Sequence, residues 1–129
     1  MTTGIKLTFK KISTTPWDFS ESSKDVAPDR GFDVYELLGD SDIPIRIGAS
    51  ETLRSRLNDY KSNRRTYDRE ICMETKAIKI YRLKDRDQMV AFEKAQIAKF
   101  KPKYNIEGVT KAHSYDNRPV ADLYMLRAA

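Results

Sequence analysis

The sequence predicts an α/β protein of the α+β type, in which a small, three-stranded, mainly antiparallel sheet is flanked by helices. Three observations lead to this fold class. The chain has 129 residues, the size of one domain, and 40% of them are hydrophobic, which is enough for a core without disulfide staples. Between residues 31 and 101, segments with strand and helix periods follow in the order strand, strand, helix, strand, helix. A short polar turn joins the first two strands, as in an antiparallel hairpin.

The predicted hairpin comprises residues 31–39 and 43–49, on either side of the turn Asp40-Ser41-Asp42. If the turn consists of two residues, Asp40 and Ser41, Tyr35 lies directly opposite Arg46. Directly opposed residues share one face of a sheet, with Cβ atoms ~5 Å apart. We therefore expect Tyr35 and Arg46 to be neighbours.

The helix after the hairpin is amphipathic. Leu53, Leu57 and Tyr60 recur at helical spacing, and Ser50 precedes them as a candidate N-cap. A polar, basic stretch then leads to a third strand near residues 77–82, where apolar and basic side chains are interleaved. This order places the third strand after the first helix.

The last predicted helix begins after Asp85 or Asp87, either of which can cap it, and runs to about Lys101. Pro102 ends it, because a proline disfavours helical geometry in the residue before it. The remaining tail has enough apolar residues for one more short element.

The chain divides into three parts. Residues 1–30 are expected to form an N-terminal strand, with its alternation over residues 4–12, and a polar arm over residues 13–30. Residues 31–106 form the main domain, and residues 107–129 are a C-terminal extension.

Composition excludes several classes of protein. Cys72 is the only cysteine and His113 the only histidine, so neither a disulfide framework nor a structural zinc site is available. The apolar runs are far shorter than the ~20 residues of a membrane span, and the first residues lack the apolar stretch of a signal peptide. We expect a reduced, soluble, cytoplasmic protein without a membrane partner, in which Trp17, Cys72 and His113 are structural or incidental.

The net charge of +5 is concentrated in one part of the chain. Residues 61–105 contain thirteen basic and six acidic residues, and this surplus is the charge pattern expected of a phosphate-binding surface. A solvated face of a basic protein is the alternative. The basic residues assigned to DNA binding are Arg54, Lys61, Arg64, Arg65, Lys101 and Lys103.

One acid lies in an apolar stripe of the last helix. Met89, Val90, Ile97 and Phe100 occupy the positions that share a helix face with Glu93. A carboxylate in such a stripe needs a partner or a metal. The alternatives are a buried ion pair with an arginine such as Arg56, or a helix rotated so that Glu93 reaches the rim.

Five short segments then match a known pattern in order. They are the tripeptides 33–35 (Asp-Val-Tyr) and 46–48 (Arg-Ile-Gly), the helical segment 49–60, Glu93, and the helix ending 100–105 (Phe-Lys-Pro-Lys-Tyr-Asn). With these segments on the strand and helix order given above, residues 31–106 resemble the GIY-YIG nuclease superfamily. The resemblance implies a GIY-YIG-like fold and metal-dependent endonuclease activity that hydrolyses phosphodiester bonds in DNA.

The resemblance also implies roles for particular residues. Glu93 would hold a single divalent metal, Mg²⁺ or Mn²⁺, and Tyr35 would help to take the proton from the attacking water. Arg56 would stabilise charge in the transition state, Tyr60 would orient the phosphate or the water, and Asn105 would support the acid's end of the site. From the residues alone, a strand tyrosine such as Tyr35 is more often core or cross-strand packing than a base. Tyr60 is equally compatible with core and site, and Asn105 with a helix terminator.

Two residues depart from the family pattern. Asp33 stands where the family has glycine, and Arg46 where it has a tyrosine of the active site. Arg46 would replace that tyrosine in function, because a guanidinium beside Tyr35 favours its phenolate and attracts the scissile phosphate. The alternative is a catalytically inactive DNA-binding or regulatory module that keeps the fold.

No separate DNA-reading domain is evident in the sequence. Recognition of DNA would come from residues 13–30, from the basic stretch, from the C-terminal tail, from a second copy in a homodimer or from an accessory specificity partner. A compact nuclease of this kind would suit a phage or a mobile element.

Overall fold

The computed structural model describes residues 9–105, which form one sheet with helices on both faces. The strands are β1 (Phe9–Pro16), β2 (Phe32–Leu38), β3 (Pro44–Ser50) and β4 (Ala77–Leu83). The helices are α1 (Leu53–Lys61), α2 (Asp68–Glu74) and α3 (Arg86–Phe100), with a short 3-10 helix at Ser23–Asp25. The predicted α+β class is confirmed.

The described sheet has four strands, in the order β1-β4-β2-β3, and every pair is antiparallel. The prediction of three strands was therefore too low. β1 adds the fourth by pairing with β4 from Phe9 opposite Leu83 to Pro16 opposite Ala77. The sequence placed the end of this strand at residue 12, because Ser13, Thr14 and Thr15 look like loop residues. Threonine is also a good strand former, and an edge strand tolerates polar side chains.

The segment after β1 is not a free arm. Trp17 and Phe19 are each only 2% exposed, and their rings pack edge to face with centroids 4.8 Å apart. The Trp17 amide donates to the carbonyl of Lys76, and its indole donates to the carbonyl of Ser22. Two large aromatic rings therefore anchor a stretch whose composition is otherwise that of a loop.

The hairpin register differs from the prediction. Tyr35 pairs with Gly48, and Leu37 pairs with Arg46. The register shifts after Leu37, so that Leu38 pairs with Pro44. Because the slip is two residues, every side chain keeps its face of the sheet, and Tyr35 and Arg46 still point to the same side.

The sheet separates two cores. On one face, residues of β2, β3 and β4 pack with α1, α2 and the N-terminal aromatics; the buried members include Trp17, Phe19, Tyr35, Leu37, Leu53, Leu57, Tyr60, Ile71, Ile78 and Ile80. On the other face, a smaller core packs against α3; its buried members are Val34, Ile47, Leu83, Met89 and Phe92. β3 lies at one edge of the sheet. Side chains from the two faces of the sheet can therefore approach each other beside this strand.

The helix α1 starts later than expected. Its N-cap is Thr52, whose side chain makes no capping bond, and Ser50 belongs to β3 instead. The Ser50 hydroxyl accepts from the Thr52 amide, a local turn that leads into the helix. Ser50 as N-cap was therefore wrong by two residues.

The helix α2 was missed, whereas α3 was predicted correctly. α2 has only seven residues and follows Tyr67, which is in the left-handed region at φ 73°. The available signal was Asp68 and Glu70 in the first turn, where acids favour a helix N-terminus. In α3, the Asp85 side chain accepts from the Gln88 amide, as the predicted N-cap should.

Several predictions fall outside the described residues: the strand residues 4–8, the C-terminal element and His113. Within residues 9–105, none of the helices has the length and apolar character that a membrane span requires.

Candidate active site

A tyrosine pair lies at the centre of the site, beneath the margin of β3. Tyr35 on β2 and Tyr60 on α1 are joined by a hydrogen bond of 2.7 Å between their hydroxyls. Tyr35 is 0% and Tyr60 1% exposed. Arg46 on β3 donates from Nε to the Tyr60 hydroxyl at 3.2 Å. The sequence-predicted residues Tyr35, Tyr60 and Arg46 therefore form one connected group.

Gly48 makes room for Tyr35. A Cβ atom at Gly48 would lie 2.3 Å from the Tyr35 hydroxyl oxygen and 2.4 Å from Cζ. Any side chain at this position would displace a ring that has no space to move, because Tyr35 is fully buried. The glycine of the Arg-Ile-Gly tripeptide is thus required by close approach of the phenol.

Arg46 lowers the pKa of Tyr35, as expected from the sequence, but burial outweighs this effect. Burial raises the pKa of Tyr35 above its usual 10.0, and the neighbouring Tyr60 raises it further through charge and hydrogen bonding. Arg56 and Arg46 oppose this rise without reversing it. Tyr35 is therefore a neutral phenol at physiological pH.

Arg56 lies beside the tyrosine pair on the same helix as Tyr60. Its guanidinium carbon is 5.9 Å from the centre of the Tyr60 ring, and it is close enough to Tyr35 for its charge to act on the phenol. Its Nε is buried and has no hydrogen-bond partner among residues 9–105. Arg56 thus presents a cation with unused donor capacity.

Glu93 is half-buried at the rim of α3. This position agrees with the second alternative given above, a helix rotated so that the acid reaches the rim. The stripe around it is less buried than expected: Met89 is buried, whereas Val90 is 38% exposed. Burial raises the pKa of Glu93 above its usual 4.5, and Arg46 and Arg56 oppose the rise. No described basic residue forms an ion pair with its carboxylate.

Asn105 fastens the end of the described chain to the edge strand. Its Oδ1 accepts from the Ile47 amide and its Nδ2 donates to the Ile47 carbonyl, both at 2.8 Å. The Tyr104 amide donates to the Ile45 carbonyl, and Arg46 donates to the Tyr104 carbonyl at 3.0 Å. The side chain of Asn105 therefore supports β3 directly, by completing the hydrogen bonds of its free edge.

An arginine cleft opens above these residues, with a volume of about 450 Å³. It is lined by Arg46, Arg56, Tyr60, Arg64, Arg65, Thr66, Tyr67, Asp68, Ile71 and Tyr104. Four of the ten lining residues are arginines, and the single acid, Asp68, is 2% exposed. The cleft therefore suits an anion.

Three of the six basic residues assigned to DNA binding are held by partners that do not line the arginine cleft. Arg54 pairs with Asp29 at 3.1 Å, and Lys103 pairs with Glu74 at 2.6 Å. Lys61 donates to a backbone carbonyl of the N-terminal segment at 3.0 Å. These contacts join parts of the chain that are distant in sequence.

The other three are placed differently. Arg64 and Lys101 are exposed, and Arg64 lines the arginine cleft. Arg65 lines the cleft too, with its Nε 3.3 Å from the Asp68 carboxylate. Lys101 adopts φ 47° at the end of α3, where it closes the helix.

The sequence did not reveal why Asp33 is tolerated in place of glycine. Asp33 is fully buried and receives two contacts from Arg82, at 2.9 and 3.1 Å. The two residues are direct partners across β2 and β4. The available signal was a basic residue, Arg82, in a later strand. It can be recognised as the partner of Asp33 only when the register of β2 against β4 is known.

Comparison with known families identifies this arrangement. A sequence model of the UvrC-like GIY-YIG domain matches residues 32–106, more than half of the chain. The chain belongs to the UvrC-like GIY-YIG domain family. The superfamily resemblance found in the sequence is confirmed, and the chain carries a nuclease-type GIY-YIG domain. The comparison with curated proteins finds no match.

Solved structures agree with this GIY-YIG assignment. The chain is similar to the GIY-YIG N-terminal endonuclease domain of UvrC from Thermotoga maritima bound to magnesium, with a TM-score of 0.59 and 25% identity over 67% of this chain and 98% of that domain. A mutant of that domain with a tyrosine changed to phenylalanine gives the same values. An asparagine-to-alanine mutant, at 23% identity and TM-score 0.59, supports the fold alone.

The residues of this GIY-YIG domain fit a divalent cation with few protein ligands. Among residues 9–105 there is no group of three or more acidic, histidine or cysteine side chains that could hold a metal ion. A cation held by Glu93 would therefore have at most one other ligand of these types from the described residues. Mg²⁺ accepts such a site, because it binds oxygen and usually keeps several waters. The carboxylate of Glu93 is available, since no ion pair with a described residue occupies it.

Proposed function

We propose that this chain is a metal-dependent endonuclease that hydrolyses phosphodiester bonds in DNA. The observation that carries the proposal is the convergence of Arg46, Arg56 and Tyr60 on one cleft, with Glu93 near both arginines, inside a GIY-YIG domain. Phosphodiester hydrolysis needs charge relief on the phosphate and a placed water. The two arginines supply the charge relief, and a cation held by Glu93 would supply the water.

The two arginines bind the scissile phosphate. Arg46 and Arg56 both line the cleft, and neither forms an ion pair with an acid among residues 9–105. Guanidinium groups match phosphate oxygens in geometry and remain charged at any physiological pH. Their role is to hold the phosphate and to stabilise the charge that builds up in the transition state.

The two tyrosines position the arginines. Tyr35 is fully buried, so it touches neither water nor substrate in this arrangement. Its hydroxyl fixes that of Tyr60, which in turn accepts from Arg46. We assign Tyr35 to this support role, because a neutral buried phenol is a poor acceptor of a proton from water.

Glu93 would hold the cation, Mg²⁺ or Mn²⁺. When bound, the cation supplies charge neutralisation for the phosphate and help for the departing oxygen. The raised pKa of Glu93 reflects an ionised carboxylate that is incompletely solvated, and such a group gains from a cation.

The nuclease unit would be residues 31–106, with the N-terminal residues and residues 107–129 as flanking parts. The exposed basic residues Arg64 and Lys101 would contact the DNA backbone near the cleft. A second copy of the chain or an accessory partner would supply sequence recognition.

The direct test is nicking of supercoiled plasmid by the purified full chain in the presence of Mg²⁺. We expect cleavage by the wild type, and its loss in Glu93→Ala with the circular dichroism spectrum unchanged. Lys10→Ala is the control, because Lys10 is exposed on β1, at the opposite edge of the sheet from β3. Equal cutting by Glu93→Ala would refute the metal assignment. An inactive wild type that Arg46→Tyr restores would instead identify an inactive DNA-binding module.

A further inference from the structure

The loop between α1 and α2 has an unusual backbone. Asn63 and Tyr67 are both in the left-handed region, at φ 53° and 73°. Asparagine tolerates this conformation, but for an aromatic residue it is uncommon and strained. Strained backbone persists only where surrounding contacts enforce it, and it is concentrated at binding sites. Between them lie Arg64, Arg65 and Thr66, all of which line the cleft.

Arg65 is held in place yet retains unused donors. Its Nε contacts Asp68 at 3.3 Å, and its guanidinium carbon lies 4.7 Å from the centre of the Tyr60 ring. Its Nη2 is buried and has no hydrogen-bond partner within residues 9–105. A positioned donor of this kind binds a ligand at little entropic cost, because its conformation is already set.

The charges around this loop are not balanced. Arg64 and Arg65 line the cleft together with Arg46 and Arg56, and Asp68 is the only acid in its lining. Asp68 is 2% exposed and already paired with Arg65, so it leaves the other arginines uncompensated. Arg56, Arg64 and Arg65 also border a smaller depression of about 280 Å³, whose lining includes one acid, Asp59. Within the cleft, the positive charge thus extends from Arg46 and Arg56, assigned to the scissile phosphate, to Arg64 and Arg65.

We propose that Arg64 and Arg65 form a second phosphate subsite, which holds a backbone phosphate next to the scissile phosphate of the same DNA strand. The subsite rests on the proposed function, since it takes Arg46 and Arg56 as the contacts of the scissile phosphate. Two phosphate contacts along one strand fix its direction across the cleft, whereas a single contact leaves the strand free to rotate.

The test measures how DNA affinity depends on salt. Each phosphate neutralised by a protein cation contributes a slope of about −0.9 in a plot of log K against log salt for duplex DNA. We expect Arg64→Gln to flatten the slope of the full chain by about 0.9, measured with a fluorescent duplex in the absence of divalent cations. Arg65→Gln should flatten it by a similar amount. Arg64 is the primary variant because it is exposed and its replacement leaves the Arg65 to Asp68 contact intact.

Lys10→Gln is the matched control, because it removes one charge at the far edge of the sheet and should leave the slope unchanged. A slope that Arg64→Gln and Arg65→Gln both leave unchanged, with a wild type that binds DNA, overturns the subsite and leaves the proposed nuclease function intact. A wild type that binds no DNA overturns both. A 5′-mononucleotide that binds as tightly as the duplex, in a manner that depends on Arg64, would reassign the cleft to a free nucleotide and overturn the proposal.

Discussion

Two arginines flank the central strand β2, and their partners differ. Arg82 on β4 contacts the buried carboxylate of Asp33 with two of its nitrogens. Arg46 on β3 donates to the Tyr60 hydroxyl and the Tyr104 carbonyl, neither of which is an anion. Among residues 9–105, no acid forms an ion pair with Arg46. The charge of Arg82 is therefore neutralised within the fold, and the charge of Arg46 is available to a ligand.

The difference explains the two departures from the family pattern. Asp33, in place of glycine, is compensated by its cross-strand partner and so concerns stability. Arg46, in place of tyrosine, lines the cleft and so concerns what the cleft binds. A substitution that is paired internally and one that faces a cleft have separable consequences, and mutations should separate them.

The largest expected effect is on stability, from Arg82→Ala. The change leaves the fully buried Asp33 carboxylate without its cation, and the loss of one partner of a buried pair costs about 3 kcal/mol in the free energy of unfolding. Urea denaturation of wild type and variant measures this loss. The rate of cleavage per folded molecule should not change.

The double variant Asp33→Ala with Arg82→Ala is the control for that prediction. Removal of both partners leaves no unpaired buried charge, so most of the lost stability should return. A double variant as unstable as Arg82→Ala would show that packing of the arginine, and not its charge, supports the strand pair.

A glycine lies against a large side chain in both regions: Gly48 against Tyr35 near the cleft, and Gly31 against Arg82 on β4. Replacement of these two glycines by alanine should change stability by different amounts. A Cβ at Gly48 meets the ring of Tyr35, and a Cβ at Gly31 meets the guanidinium of Arg82 at 2.5 Å. The Tyr35 ring is fully buried, whereas the Arg82 side chain is 33% exposed and can shift. We expect Gly48→Ala to destabilise by about 2 kcal/mol, in the range of overpacked cores.

Gly31→Ala should destabilise clearly less, and thermal denaturation of the two variants side by side gives the comparison. Equal losses would mean that the Arg82 contact is as rigid as the buried phenol.

Arg46→Ala should act on catalysis. We expect single-turnover cleavage to slow at least about tenfold, while the free energy of unfolding changes by less than about 1 kcal/mol, because the arginine holds only neutral partners. Tyr35→Phe removes the hydroxyl that fixes Tyr60 and should slow cleavage by a similar factor. If Arg46→Ala cleaves at the wild-type rate, Arg46 does not take over the function of the tyrosine that the family has at this position.

How far the sequence predicts this protein depends on whether the signal is local. The hairpin, α1 and α3 follow from periodicity within single segments. The sequence offered Asp85 or Asp87 as the N-cap of α3, and the structure has Asp85. The order of short motifs singled out Tyr35, Arg46, Arg56 and Tyr60. In the structure Arg46, Arg56 and Tyr60 line one cleft, and Tyr35 is hydrogen-bonded to Tyr60. Their catalytic roles stay predictions.

The features that the sequence did not predict depend on distant parts of the chain. The register shift after Leu37 is a property of two strands together, and the Asp33 to Arg82 pair joins residues 49 positions apart. The direction of the Tyr35 pKa shift was missed because burial depends on what α1 and the rest of the core cover. Proximity to arginine could be inferred from the sequence, but the competing desolvation could not.

The smallest predicted effect concerns the acid beside the unpaired arginines. Burial raises the pKa of Glu93 in the folded protein above the value of about 4.5 in the unfolded chain. The folded state therefore binds this proton more tightly, and the contribution of Glu93 to stability is lost as the pH rises through its folded pKa. Glu93→Gln keeps the shape without the charge, so at neutral pH it should be more stable than wild type, by less than about 1 kcal/mol for a half-exposed group.

Urea denaturation of both proteins across acidic and neutral pH checks the sign. The advantage of Glu93→Gln should shrink as the pH falls below 4.5, where the wild-type acid is protonated in both states. At neutral pH, added Mg²⁺ should stabilise the wild type and not Glu93→Gln. The bound ion stabilises only a folded protein that carries the carboxylate ligand. A variant less stable than wild type at neutral pH would mean that attraction to Arg46 and Arg56 outweighs burial. Those arginines would then already be neutralised by Glu93, and the contrast with Arg82 would fail.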